Sequence, residues 1–266
     1  MSGPGCLIAM KILGVYNIKG GVGKTAAAVN IGHLAAADGL RTLIWDLDPQ
    51  GAATFYLRVK PKVRGSKRML LGKSDLDGVV KGSDYPRLDL LPADFSYRNM
   101  DLLFGETKKP TTQLRKLLRP LAADYDLVVL DCPPSISLVS ENIFRAADTL
   151  LLPTIPTPLS LRTLEQLIDF ITASDLAAPV LAFYSMVDRR KQLHRDIVAG
   201  PADLRCSMLP TAIPYASEVE RMGLERRPVT AFAPSSTAGR AYQALWTDLR
   251  SQIAGLRSGA LFDSPY

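Results

Sequence analysis

Asn17-Ile18-Lys19-Gly20-Gly21-Val22-Gly23-Lys24-Thr25 follows a short apolar run, Ile12 to Tyr16, and leads into an alanine-rich helical pattern from Lys24 to Asp38. A glycine-rich turn that leaves a buried strand, opens a helix and ends in Lys-Thr reads as a P-loop. Gly20, Gly21 and Gly23 let the backbone turn tightly and aim several N–H groups at phosphate oxygens, while the new helix adds the positive end of its dipole. Lys24 then reaches the β- and γ-phosphates, and the Thr25 hydroxyl ligates Mg²⁺. Val22 and Ala26 complete the predicted nucleotide-binding stretch.

Outward from this turn the chain keeps one rhythm. Apolar runs at Thr42 to Trp45, Leu88 to Leu91, Leu127 to Leu130, Thr149 to Leu152 and Val180 to Met186 read as buried parallel strands. Helical patterns accompany them at Thr111 to Ala123, Ile136 to Ala147, Ser160 to Ala173, Gln192 to Ala199 and Thr237 to Leu256. This alternation predicts an α/β fold: a single doubly wound, mostly parallel sheet with helices on both faces. Residues 10–257 form one predicted domain, with a short disordered lead at 1–9 and a tail at 258–266. One stretch departs from the rhythm. Arg58 to Lys73 carries Arg58, Lys60, Lys62, Arg64, Lys67, Arg68 and Lys73 without an acidic residue, and predicts an exposed basic loop or short helical insertion.

Of the 266 residues, 47% are hydrophobic and 22% charged, which excludes disordered and fibrous classes. No run of about 18 apolar residues is available to span a bilayer. Cys6, Cys132 and Cys206 are too few and too scattered for a disulfide framework, and they form no Cys-x-x-Cys pair. The start of the chain lacks a basic n-region and has too short an apolar stretch for a signal peptide, so a reducing cytoplasm is the expected location. A formal net charge of +6 favours an anionic partner.

Two further strand ends carry carboxylates. Thr42 to Trp45 ends in Asp46-Leu47-Asp48-Pro49-Gln50-Gly51, and strand alternation puts Asp46 and Asp48 on one side, at the sheet edge where open α/β folds bind ligands. Asp126 to Leu130 ends in Asp131-Cys132-Pro133-Pro134, the Walker B arrangement, whose carboxylate holds a magnesium-bound water. Cys132 beside it reads as a small apolar packing residue.

The P-loop departs from the common G-x-x-x-x-G-K-[ST] pattern, with Ile18 at the first glycine position and a lysine, Lys19, just after it. This resembles the deviant Walker A motif of the ParA/MinD family of P-loop ATPases, in its ParA/Soj-like branch. Asp-x-Asp-Pro-Gln and Asp-x-Pro-Pro look like that family's second and third motifs. The resemblance implies that Lys19 crosses a dimer interface to the nucleotide of the other subunit, making the active form an ATP-sandwich homodimer. It assigns Lys19, Lys24 and Asp48 to catalysis, with Asp48 orienting the attacking water. It puts Thr25, Asp48 and Asp131 around Mg²⁺. Pro156 to Arg162 resembles the segment beside the γ-phosphate and dimer face, while Asp188 and Pro214 fall in segments that enclose the adenine. No Asn-Lys-x-Asp is present, so ATP is expected rather than GTP.

By the same resemblance the chain is an ATP-dependent switch that positions DNA or another large cargo, hydrolyses slowly, and answers to an activating adaptor of ParB-like role. Nonspecific DNA would meet Lys67, Arg68, Arg189 and Arg190, giving a cytoplasmic, nucleoid-associated protein. Glu218 and Glu220, however, stand where the family often has arginines. Two rival readings come from a MinD-like membrane ATPase and from an ATP-dependent ligase of the dethiobiotin-synthetase type. The first needs a basic amphipathic C-terminal helix. The stripe Leu245, Leu249, Ile253 and Leu256 instead reads as a helix packed on its own sheet, because 258–266 adds no basic residue for headgroups. A membrane partner is therefore not expected. The ligases lack the dimer logic of the signature lysine.

Overall fold

The computed structural model describes residues 10–61, 65–74, 76, 78–173, 178–200 and 205–253. The first half runs β1 (Lys11–Val15), α1 (Lys24–Ala37), β2 (Thr42–Asp46), α2 (Ala52–Tyr56), α3 (Ser66–Leu70), β3 (Lys81–Gly82), β4 (Leu88–Leu91), α4 (Met100–Gly105), α5 (Gln113–Leu118) and β5 (Leu127–Asp131). The second runs α6 (Leu138–Ala146), β6 (Thr149–Thr154), α7 (Pro158–Ala173), β7 (Val180–Tyr184), α8 (Gln192–Ala199), β8 (Ser207–Met208), α9 (Ser217–Glu225), α10 (Val229–Phe232) and α11 (Thr237–Gln252). All six predicted strands are present. They form an eight-stranded sheet in the order β3-β4-β2-β5-β1-β6-β7-β8, parallel throughout except for β3 on β4. Edge strands β3 and β8 have two residues each, too few for any hydrophobic period to show.

Strand alternation divides the core into two layers. Ile12, Leu43, Trp45, Val128 and Leu130 face one layer, and Leu13, Val15, Ile44, Leu127 and Val129 the other. The strands are thus apolar on both sides, as parallel strands between helices must be. In the second layer α1 lies close on β2: a Cβ on Gly32 would stand 2.5 Å from Ile44 Cδ1, so only glycine permits this approach. Helix α11 covers the same layer with Tyr242, Leu245, Trp246 and Leu249 buried, so the terminal stripe packs on its own domain. Leu256 and the predicted boundary at 257 lie outside the described residues, as do 1–9 and the tail.

The predicted helix 111–123 is broken. Only Gln113–Leu118 is α-helical, flanked by 3-10 turns at Pro110–Thr112 and Arg119–Ala123, each with a proline in its first positions. Pro120 has no N–H to continue an α-helical ladder. The basic stretch 58–73 is also less exposed than expected. Within it α3 buries Ser66, Met69 and Leu70 while Lys67 and Arg68 remain exposed.

Candidate nucleotide-binding site

The turn from β1 to α1 has the backbone the glycines predicted. Gly21 and Gly23 take φ of +71° and +93°, conformations that an L side chain strains to adopt. Gly23 caps α1 with no side-chain acceptor, which leaves the first amides of the helix free to meet an anion. Asn17 anchors the loop, donating from Nδ2 to the Pro153 carbonyl at 2.9 Å and accepting the Lys19 N–H at 2.9 Å. Lys24 is buried and spans the turn, its Nζ 3.0 Å from the Lys19 carbonyl. Burial lowers its pKa, opposed chiefly by the charge of Asp131.

Beneath the loop lie the two strand-end aspartates. Asp46 and Asp131 are register partners on β2 and β5, both fully buried. Thr54 satisfies one oxygen of Asp46 through its N–H at 2.8 Å and its hydroxyl at 2.7 Å. Burial still raises Asp46 to about 6. Neither oxygen of Asp131 has a hydrogen-bond partner. Burial, then the neighbouring Asp46, push its pKa well above the usual range, while the nearby Thr25 hydroxyl and Lys24 pull the other way. A buried carboxylate without donors is costly unless a cation completes it. The donor set of Asp131 beside Thr25 suits Mg²⁺, which takes few protein oxygens and keeps several waters. Asp48 is half-exposed and shaped by the turn itself, Oδ1 accepting the Gln50 N–H at 2.9 Å.

A cavity of about 330 Å³ opens over the loop. Of the residues assigned to the nucleotide site by sequence, Gly20, Gly21, Gly23, Lys24, Thr25, Ala26, Asp48 and Pro214 line it. Several other predicted residues do not. Val22 is buried under the turn, Asp131 lies below the floor, and Lys19 points elsewhere, its Nζ 3.2 Å from Ser160 Oγ near the start of α7. Asp188 is also absent from the wall. Its carboxylate is bound by Arg190 at 2.9 and 3.0 Å, which pulls it down to about 2.

The far wall comes from residues that sequence reasoning did not single out for the site. Tyr56 of α2, Tyr215, Glu220 of α9 and Tyr242 of α11 contribute, with the Tyr215 hydroxyl donating to Glu220 at 2.8 Å. Pro214 and Tyr215 arrive because Ile213 N bonds Tyr184 O and Tyr215 N bonds Val187 O, extending the β7 edge past its end. Ser185 and Met186, which precede Asp188 in the chain, also line the cavity. The basic residues proposed for DNA sit apart. Lys67 and Arg68 are on α3, packed against α4, whereas exposed Arg189 and Arg190 follow β7. Cys132 is buried with its thiol on the Leu130 carbonyl, in keeping with a packing role.

A fold of this kind with this loop is that of P-loop nucleotide-binding proteins. The AAA domain family model matches residues 10–177. The chain is similar to the sporulation initiation inhibitor protein Soj of Bacillus subtilis, 28% identical over 92% of this chain and 98% of that one. Among solved structures it is similar to cobyrinic acid a,c-diamide synthase of Mycobacterium smegmatis with bound ADP and magnesium. That likeness has a TM-score of 0.77 at 27% identity, over 94% of this chain and 97% of that one. It shares its fold with a Borrelia burgdorferi protein bound to AMPPNP, TM-score 0.80 at 20% identity, over 92% and 100%. The chain belongs to the ParA/MinD family of P-loop ATPases.

Proposed function

We propose that this chain hydrolyses ATP with Mg²⁺ and uses the bound nucleotide to hold an ATP-sandwich homodimer that positions DNA or another large cargo. The observation that carries this reading is the divergence of the two loop lysines. Lys24 lines the cavity with its Nζ on the Lys19 carbonyl, whereas Lys19 turns away to Ser160, next to Leu159, which is 65% exposed at the start of α7. A cation on the rim beside an exposed apolar residue is placed to serve a neighbouring subunit.

Lys24 and the amides of Gly21 to Thr25 hold the phosphates, and Thr25 with Asp131 holds the metal. Bound Mg²⁺ neutralises charge developing on the phosphate oxygens. Asp48 orients the attacking water, a positioning role that suffices because the phosphoryl transition state needs little help from a base. Tyr56, Pro214 and Tyr215 enclose the base. The adaptor that accelerates hydrolysis, the nonspecific contact to DNA through Lys67, Arg68, Arg189 and Arg190, and a cytoplasmic, nucleoid-associated location complete the reading.

Light scattering with ATP and Mg²⁺ tests it. Lys19→Ala is expected to bind ATP yet stay monomeric, while Asp48→Ala dimerises and accumulates because hydrolysis is slowed. A Lys19→Ala protein that dimerises normally overturns the sandwich. The likeness to a diamide synthase at 27% identity favours one second reading, an ATP-dependent synthase. That reading predicts an ATPase rate that rises with a carboxylic acid substrate and is indifferent to Lys19→Ala.

A further inference from the structure

Two basic runs that are distant in sequence meet at the end of the sheet opposite the nucleotide site. Gln113 Nε2 donates to the Leu70 carbonyl at 2.9 Å and ties the 65–73 insertion to α5. This brings Lys73 beside the 108–119 segment. Between them lies a cavity of about 1390 Å³ at the amino ends of β1 and β6. Lys73, Lys108, Lys109, Arg115, Lys116 and Arg119 line it, all exposed, and no ion pair among the described residues neutralises any of them. Of the two acidic residues in its wall, Asp148 already accepts the Ile12 N–H at 2.8 Å. The floor is apolar, built by Met10, Ile12, Leu71, Leu118, Ala122 and Ala146.

We infer that this cavity is a docking groove for an acidic amphipathic helix from a partner protein. Each feature of the groove selects that chemistry. Its volume exceeds the roughly 300–1,000 Å³ of small-molecule sites and matches a helix about 10 Å across and about three turns long. The apolar floor receives the hydrophobic stripe of such a helix, and the rim cations meet carboxylates on its flanks. A DNA duplex has no use for an apolar floor. The groove is separated from the P-loop by the length of β1, about 17 Å for its five residues, so a docked helix leaves the nucleotide site open.

Fluorescence anisotropy on the full chain tests the groove. The probes are a 14-residue peptide with leucines at helical spacing and glutamates elsewhere, its scrambled isomer of equal charge, a 20-base-pair duplex, and phosphatidylglycerol vesicles. The amphipathic peptide is expected to bind at least tenfold more tightly than the scrambled one, with or without ATP. Arg115→Glu with Lys116→Glu should weaken it at least tenfold, and Ala122→Glu, an exposed change on the floor, should do the same. Both variants should keep wild-type ATP binding, which shows that they fold. Equal binding of the scrambled peptide, or no response to either variant, overturns the proposal. So does a result in which the variants abolish duplex or vesicle binding and leave the peptide untouched.

Discussion

At the scale of single residues, Thr54 decides how Asp46 is tolerated. Its hydroxyl donates to Asp46 and accepts the Ala93 N–H at 2.8 Å, and its own N–H gives Asp46 a second bond. Thr54→Val keeps the shape but leaves a buried carboxylate short of one donor and the Ala93 amide without an acceptor. The loss should be about 2–3 kcal/mol, read as a fall in the urea midpoint at constant slope, with Thr54→Ser restoring most of it. Lys24 is the complementary case for function. Lys24→Ala removes the buried ammonium that faces the phosphates, and nucleotide binding measured by titration calorimetry should disappear. ATP binding of wild-type strength in that variant would show that the cavity over the loop is not the nucleotide site.

Helix α1 shows how one element is held from outside itself. It is alanine-rich and has no amphipathic stripe, so its place depends on partners. Asn30 Oδ1 accepts the Thr230 N–H at 3.0 Å and its hydroxyl at 3.1 Å, and His33 Nδ1 lies 2.8 Å from that same hydroxyl. At the other end, Asp38 accepts from Trp246 Nε1 at 2.6 Å and Arg250 Nη1 at 2.8 Å. Asp38→Ala should cost about 1–2 kcal/mol, because the buried indole N–H then lacks an acceptor. His33 supplies a pH dependence. Burial, then the charge of Arg227, depress its pKa below the ordinary 6.5. The unfolded chain therefore binds this proton first as pH falls, so the contribution of neutral His33 is complete above 6.5 and is lost progressively below it. Thermal melts of the wild type should drop between pH 7 and pH 5, and His33→Gln should remove that part of the drop.

At the scale of the whole molecule, the net charge of +6 is spread over separate surfaces. Lys67 and Arg68 stand out on α3, while Arg190 is engaged with Asp188. Dimerisation would place two α3 patches on one body and raise avidity without a new contact. Binding of nonspecific duplex by the Asp48→Ala dimer is expected to need ATP and to fall steeply with salt. Lys67→Glu with Arg68→Glu should weaken it at least tenfold for every DNA sequence and leave ATP binding intact. No shift of the duplex at low salt would mean that the α3 charges serve another partner.

The strands, the P-loop backbone and the carboxylates at strand ends were legible from the sequence because each is a local pattern. Apolar runs, positive-φ glycines at Gly21 and Gly23, and Asp46 and Asp131 at the ends of β2 and β5 depend on neighbours a few residues away. The break at Pro120 is legible too, since proline has no N–H for the helical ladder, although the apolar period runs on across it. Other features rest on contacts between distant segments. Tyr242 comes to the nucleotide cavity from the last helix, and Tyr215 through a β7 edge extended by backbone bonds. Asp188 stays off the cavity wall because a side chain two residues away, Arg190, claims its carboxylate. The groove opposite the P-loop lies where Gln113 clasps Leu70, so basic residues far apart in sequence come to share one surface. Local periodicity specifies which elements form, whereas only close packing of the two core layers decides which side chains from different elements share a site.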